Sequence, residues 1–260
     1  MIFWTEDMIE YSTAIITFFV LIIAIHLGRG VTHVLPDEHT TDATKDAIKR
    51  GVALIVTLTA LVLGLLISTG KASFDKQSES VANIVSEFAV LDEMLNHYGE
   101  SANAARSDLH NGAKAVILSF WGENYEGQKS QLSKTARVEN ESFLDQIAKL
   151  PVTDEQSRIF KDKAVASAST LVKERFRLAT IQHSAIPRPM LYIIIAWLGV
   201  IFLSLGFCSP QNDTALVSEY IGAISASAAV LLISEFDHPF TGMIRIAKEP
   251  FSFVISSLGG

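Results

Sequence analysis

The chain has 260 residues, of which 49% are hydrophobic, and its formal net charge is −7. This acidic balance argues against nucleic acid as a partner. The single cysteine excludes an intrachain disulfide and a thiolate metal cluster. The sequence has no glycine-rich phosphate loop, no Gly-x-Ser-x-Gly and no His-Glu-x-x-His. We therefore predict neither an enzyme nor a bound cofactor.

Four long stretches are apolar and almost free of charge, and each is near the ~17–25 residues that a helix needs to cross a bilayer. They are residues 11–27, 51–69, 191–208 and 216–234. One such stretch could be a buried helix of a soluble protein, but four indicate an integral membrane protein. The first is preceded by Glu6, Asp7 and Glu10 instead of basic residues, so we expect a transmembrane helix and not a signal peptide.

Five potential metal ligands lie at the end of the first stretch and in the loop behind it. They are His26, His33, His39, Asp37 and Glu38. Their spacing crosses Pro36 and matches no compact ligand pattern. We therefore interpret this segment as a solvated loop and predict no metal site.

The second stretch carries small and hydroxyl side chains among its Leu, Ile and Val residues. Such side chains can line a pore, and apolar rings can gate a pore by dewetting. Small residues also favour ordinary helix packing in membranes, so both interpretations remain open. The pore-lining candidates are Thr57, Leu61, Gly64, Leu65 and Ser68.

Residues 71–188 form the one long polar part of the chain, and their apolar residues recur at three- and four-residue steps. This pattern predicts packed helices of a soluble domain. No proline or turn cluster lies between Gly51 and Glu100, so we expect the second apolar helix to continue into this domain, with Gly70 as a candidate bend. Thr153, followed by Gln156, predicts the capped start of the last helix of the domain.

The fourth stretch ends in LLISEFDHPFTGMIR, residues 231–245. Proline cannot continue a helix, and glycine permits a tight bend. Two alternatives stay open for the acidic residues: solvated groups at a helix end, or acceptors of bonds from Lys71, Arg188 and Arg245. The candidate structural or gating residues are Glu235, Asp237, Pro239 and Gly242.

These features predict an all-α fold with four transmembrane helices and a helical cytoplasmic domain inserted between the second and third, the second helix extending out of the membrane. The predicted boundaries are 1–70, 71–188, 189–235 and 236–260. Basic residues mark the cytoplasmic side. Eight would lie on one side (Lys71, Lys76, Lys173, Arg175, Arg177, Arg188, Arg245, Lys248) and four on the other (Arg29, Lys45, Lys49, Arg50). We therefore expect both termini and the domain in the cytoplasm.

Three stretches carry a resemblance to a bacterial bestrophin-like family of unknown function, which is distantly similar to the bestrophin chloride channels. They are LVLGLLISTGKASFDKQ (61–77), VANIVSEFAVLDEML (81–95) and LLISEFDHPFTGMIRIAKEPF (231–251). The resemblance implies a homo-oligomer in the bacterial cytoplasmic membrane, a pentamer by analogy, that conducts small ions with anions favoured. Bestrophins carry consecutive acidic residues that bind calcium after their last span. Here Glu235, Asp237 and Glu249 are scattered, so calcium gating does not carry over.

Two classes of function therefore remain. One is an oligomeric ion channel with the second span around the pore. The other is a membrane-anchored helical signalling or scaffold protein without permeation.

Overall fold

The structure is a computed structural model that describes residues 3–121, 143–181 and 187–251. These residues are mostly helical and include no strand. Ile186, in the predicted break before the third span, and residues 252–260 of the predicted C-terminal segment lie outside them. The helices are α1 (Phe3–Val34), α2 (Asp42–Tyr98), α3 (Asn103–Trp121), α4 (residues 143–148), α5 (Glu155–Ile181), α6 (Arg188–Cys208) and α7 (Asp213–Asp237).

Four of the described helices, α1, α2, α6 and α7, are long and apolar enough to cross a membrane. The prediction of an all-helical chain with four such helices is confirmed. The chain divides into two compact units. The apolar unit comprises Met1–Phe74 and Ser184–Ile244, and the helical unit comprises Asp75–His183 and Arg245–Gly260. α2 belongs to both units and is one continuous helix through Gly70, so the prediction that the second apolar helix continues beyond its apolar stretch is confirmed.

The core of the apolar unit lies where α1 packs against α6 and α7. Its buried residues include Leu21, Ile25, Ile194, Leu198, Phe202, Ala223, Val230 and Ile233, together with Leu66 of α2. Two glycines allow the backbones of α1 and α6 to approach closely. A Cβ at Gly28 would lie 2.1 Å from the Leu203 carbonyl oxygen, and one at Gly206 would lie 2.3 Å from that of Ile25. Close backbone approach through small residues is typical of membrane helix pairs.

The helical unit has a core of its own. Buried apolar residues come from α2 (Ile84, Phe88, Leu91, Leu95), α3 (Leu109, Ala113, Val116) and α5 (Ala164, Ala168, Leu171, Leu178). A charged network ties α2 to α3, because Arg106 donates from Nε and Nη2 to the two carboxylate oxygens of Asp92 at 2.9 and 3.1 Å. His110 Nε2 lies 3.1 Å from the same carboxylate.

The start of α5 differs by one residue from the prediction. The helix begins at Glu155, and the Ser157 N–H donates to Asp154 Oδ1 at 2.6 Å. Asp154 is therefore the capping side chain, and the predicted cap at Thr153 is wrong. Hydrogen bonds from the backbone and side chain of Ser157 hold the pKa of Asp154 below its ordinary value. An aspartate serves this position at least as well as threonine, because its carboxylate is a strong acceptor for the first free N–H groups.

Candidate functional site

The five pore-lining candidates lie together on one exposed face of α2. Leu61 and Leu65 are 67% and 61% exposed, and Thr57, Gly64 and Ser68 are exposed as well. The buried residues of the same stretch are Thr59, Leu66 and Gly70. At 3.6 residues per turn, the five candidates occupy an arc of about 100° that is centred opposite this buried line. α2 thus packs into its own unit by one side and presents the candidate face on the other.

α2 is the apolar helix that the rest of its chain covers least. In the most apolar 18-residue stretch of α2 only 11% is buried, whereas the corresponding share is 28% in α1, 33% in α6 and 28% in α7. The other spans also expose apolar residues, such as Ile23 on α1 and Ile221 on α7. An uncovered face of a membrane helix meets lipid or another protein surface. The candidate face is therefore available for packing between copies of the chain.

Two hydroxyl groups on the exposed sides of α2 and α7 are satisfied within their own helices. Thr57 Oγ1 donates to the Ala53 carbonyl oxygen at 3.0 Å, and Ser225 Oγ donates to that of Ile221 at 2.9 Å. Such bonds leave the hydroxyl lone pairs outside and cost the helix little. The exposed face of α2 is therefore weakly polar and uncharged between residues 53 and 69.

The end of α7 is organised around a buried carboxylate. Glu235 is 1% exposed, and its Oε2 accepts hydrogen bonds from the N–H groups of Met243 at 2.7 Å and Ile244 at 3.0 Å. The helix ends at Asp237, and Pro239 is buried just behind it. Gly242 has a φ of 74°, which turns the chain back so that two successive N–H groups reach the carboxylate.

The first alternative, a solvated carboxylate at the helix end, is therefore wrong for Glu235. The carboxylate is shielded from solvent, and the backbone of the returning segment donates two hydrogen bonds to it. The predicted helix end at Pro239 and the predicted bend at Gly242 both occur here, because the segment after Pro239 folds back onto the end of α7. Phe236 packs against Phe74 with ring centroids 5.9 Å apart. Glu235 thus fixes the segment 238–244 to α7.

A second buried polar contact joins α1 to α7 and was missed in the sequence. Arg29 Nε donates to Glu219 Oε2 at 3.2 Å, and the side chains are 12% and 6% exposed. One turn earlier, His26 Nε2 lies 2.8 Å from the Tyr220 hydroxyl. The available signal was the opposite charge of Arg29 and Glu219, at the end of the first apolar stretch and near the start of the fourth.

His26 therefore takes part in a helix–helix contact. Among the residues that the structure describes, no group of three or more His, Cys, Asp or Glu side chains could hold a metal ion.

Comparison with protein-family models shows which family the chain belongs to. The family model for the bestrophin-like domain matches residues 18–251. The chain belongs to the bestrophin-like family. The match includes the exposed face of α2 and the Glu235 turn, and it confirms the resemblance seen in the three sequence stretches. Together with the four apolar helices, it makes this bestrophin-like chain a multi-pass membrane protein. Comparisons with curated proteins and with solved structures returned no match.

Proposed function

We propose that this bestrophin-like chain forms a homo-oligomeric ion channel in which α2 lines the pore, with no catalytic role. The observation that carries the proposal is the candidate face of α2, which is weakly polar, uncharged and opposite the side that packs into the same chain. One α2 helix cannot enclose a pore. Several copies arranged around an axis would do so, with the Leu66 side of each α2 still packed in its own subunit. A pentamer follows from the resemblance to bestrophins.

Leucine side chains give this pore its gate. Leu61 and Leu65 lie one turn apart on the candidate face, so each would form an apolar ring in a symmetric oligomer. Rings of this kind close a pore by dewetting when they are narrow. Small ions are therefore the proposed permeants, and the apolar rings are their barrier.

Anions are the favoured permeants for two reasons. Bestrophins, to which the family is related, are chloride channels. Basic residues also flank the apolar part of α2, with Lys49 and Arg50 at one end and Lys71 at the other. Positive charge near a pore mouth raises the local concentration of anions.

The proposed location is the bacterial cytoplasmic membrane, with both termini and the helical unit in the cytoplasm. The greater number of basic residues next to the membrane on the side of the helical unit supports this orientation. The partners are then the lipid bilayer, further copies of the chain and small ions.

The experiment is ion flux from liposomes that contain the purified full-length protein. We expect chloride efflux above that of empty vesicles prepared in parallel, and slower efflux of potassium. Light scattering in gentle detergent should give the mass of an oligomer. A monomeric mass would contradict a shared central pore.

The second candidate function is a membrane-anchored signalling or scaffold protein. The separate buried core of the helical unit favours it, since such a unit can fold and bind partners whether or not the spans conduct ions. If the protein is oligomeric but its liposomes release ions no faster than empty vesicles, this function is favoured over a channel.

A further inference from the structure

The last described residues of the chain are seated on the helical unit. Trp121 Nε1 of α3 donates a hydrogen bond to the carbonyl oxygen of Ile246 at 3.0 Å. The ring of Phe251 contacts the rings of Phe88 on α2 and Trp121, with centroids 6.0 and 5.7 Å apart. Aromatic pairs at such separations stabilise beyond their buried area. Ile246 and Phe251 are 6% and 1% exposed, whereas residues 247–250 between them are exposed. We call this set of contacts the aromatic anchor.

The residues just before this segment are held within the apolar unit, at the Glu235 turn. The N–H groups of Met243 and Ile244 donate to Glu235 Oε2 at 2.7 and 3.0 Å. The chain passes from the apolar unit to the helical unit between Ile244 and Arg245. The Glu235 turn and the aromatic anchor are therefore each complete within one unit.

Arg245 is the single residue between the two anchored parts of the chain, and it is exposed. The Cα atoms of Ile244 and Ile246 are two residues apart, so they can never be more than about 7 Å from each other. Such a short connection has little slack. A larger displacement of Ile244 from Glu235 must therefore pull Ile246 away from Trp121.

We propose that residues 245–251 act as a strap that couples the helical unit to the end of α7. While the aromatic anchor is formed, the strap keeps the Glu235 turn closed. Release of the strap from the helical unit lowers the free energy needed to open the turn. Opening of the turn weakens the aromatic anchor by the same amount, because coupling between two sites is reciprocal. The proposal does not depend on ion conduction by the spans.

The test is amide hydrogen exchange of the purified full-length protein in detergent, measured by mass spectrometry on the peptide that contains Met243 and Ile244. Trp121→Phe removes the donor to Ile246 and keeps an aromatic ring. We expect the amides of Met243 and Ile244 to exchange about fivefold faster in this variant, the factor that corresponds to one lost hydrogen bond. Phe251→Ala removes a buried ring and should accelerate their exchange further.

Leu95→Ala is the matched control for loss of stability. Leu95 is 0% exposed in the core of the helical unit, two turns beyond Phe88 on α2. Its truncation weakens the same unit but leaves the side chains of the aromatic anchor in place. The amides of Met243 and Ile244 should therefore exchange at the wild-type rate in this variant.

The reciprocal measurement is the fluorescence of Trp121 in a Trp4→Phe/Trp197→Phe background. Glu235→Ala should shift the emission to longer wavelength, because the loosened strap exposes the indole ring to water. Arg29→Met weakens the same apolar unit at its ion pair with Glu219 and should leave the emission unchanged.

Wild-type exchange of Met243 and Ile244 in both Trp121→Phe and Phe251→Ala would overturn the proposal and leave two independent anchors. Equal acceleration in Leu95→Ala would also overturn it, because general loss of stability would then explain the effect. Unchanged Trp121 emission in Glu235→Ala would contradict reciprocal coupling. If Phe251→Ala does not fold, Trp121→Phe decides.

Discussion

Arg29 of α1 and Glu219 of α7 form a buried ion pair, with Nε and Oε2 3.2 Å apart. Both side chains lie in helices that are long and apolar enough to cross a membrane. A lone charge in such a place is expensive, and pairing offsets part of that cost. The pair therefore ties two spans together. We expect that substituting one partner destabilises the protein more than substituting both.

We expect Arg29→Met to destabilise the protein by about 3 kcal/mol, because it leaves the Glu219 carboxylate buried without its cation. The double variant Arg29→Met/Glu219→Gln should recover most of this loss. Thermal unfolding in detergent measures both. Arg158→Met is the control, since Arg158 and Glu155 form an exposed pair with side chains 58% and 69% exposed. Equal losses in Arg29→Met and Arg158→Met would contradict a structural role for the buried pair.

Gly28→Ala should force α1 and α6 apart. The added Cβ would lie 2.1 Å from the Leu203 carbonyl oxygen, and a backbone atom cannot move aside alone. We expect a loss of about 1–3 kcal/mol, the usual range for overpacking. Gly30→Ala is the matched control on the same helix, because a Cβ there would meet no atom within 4 Å. Unfolding of the control should be unchanged or slightly improved, and parallel losses in the two variants would refute the close contact.

Glu235→Ala should release the segment that follows α7. The substitution leaves the N–H groups of Met243 and Ile244 without their acceptor, at a cost of about 1–3 kcal/mol. Trypsin should then cleave after the neighbouring exposed Arg245 faster than in the wild type. Glu93→Ala removes an exposed glutamate that contacts His97 and should leave the cleavage rate unchanged. Unaltered cleavage in Glu235→Ala would show that the carboxylate does not hold the segment.

If α2 lines a pore, Leu65→Ala should raise ion flux in liposomes, because it removes part of an apolar constriction. Leu65→Asp should shift selectivity towards cations, since it adds a ring of negative charge. Ile23→Ala is the control: Ile23 is exposed on α1 to a similar extent, 57% against 61% for Leu65. Equal changes in ion flux in Leu65→Ala and Ile23→Ala would contradict a pore-lining role of α2.

The proposed orientation places the turn between α6 and α7 outside the cytoplasm. Gln211 is exposed in this turn. In a Cys208→Ala background, Gln211→Cys should therefore react with a membrane-impermeant thiol reagent added to intact spheroplasts. Reaction only in inverted vesicles would reverse the orientation and place the helical unit outside.

The sequence alone determined the features that depend on neighbouring residues. The lengths and hydropathy of the four apolar stretches predicted four helices, because residues within a helix are close in the chain. The end of α7 followed from Pro239, which cannot continue a helix. The five candidates on α2 also shared one face by spacing alone, since the helical period fixes their relative directions.

Only the tertiary structure decided which groups meet across the chain. Glu235 was expected at a solvated end or beside a cation, but the positive φ of Gly242 brings two backbone N–H groups to it. The Arg29–Glu219 pair joins residues 190 positions apart, and the contact of Gly28 depends on the placement of α6. Hydrophobic patterns cannot select such partners, because burial is non-directional whereas ion pairs, hydrogen bonds and backbone contacts require a definite helix register.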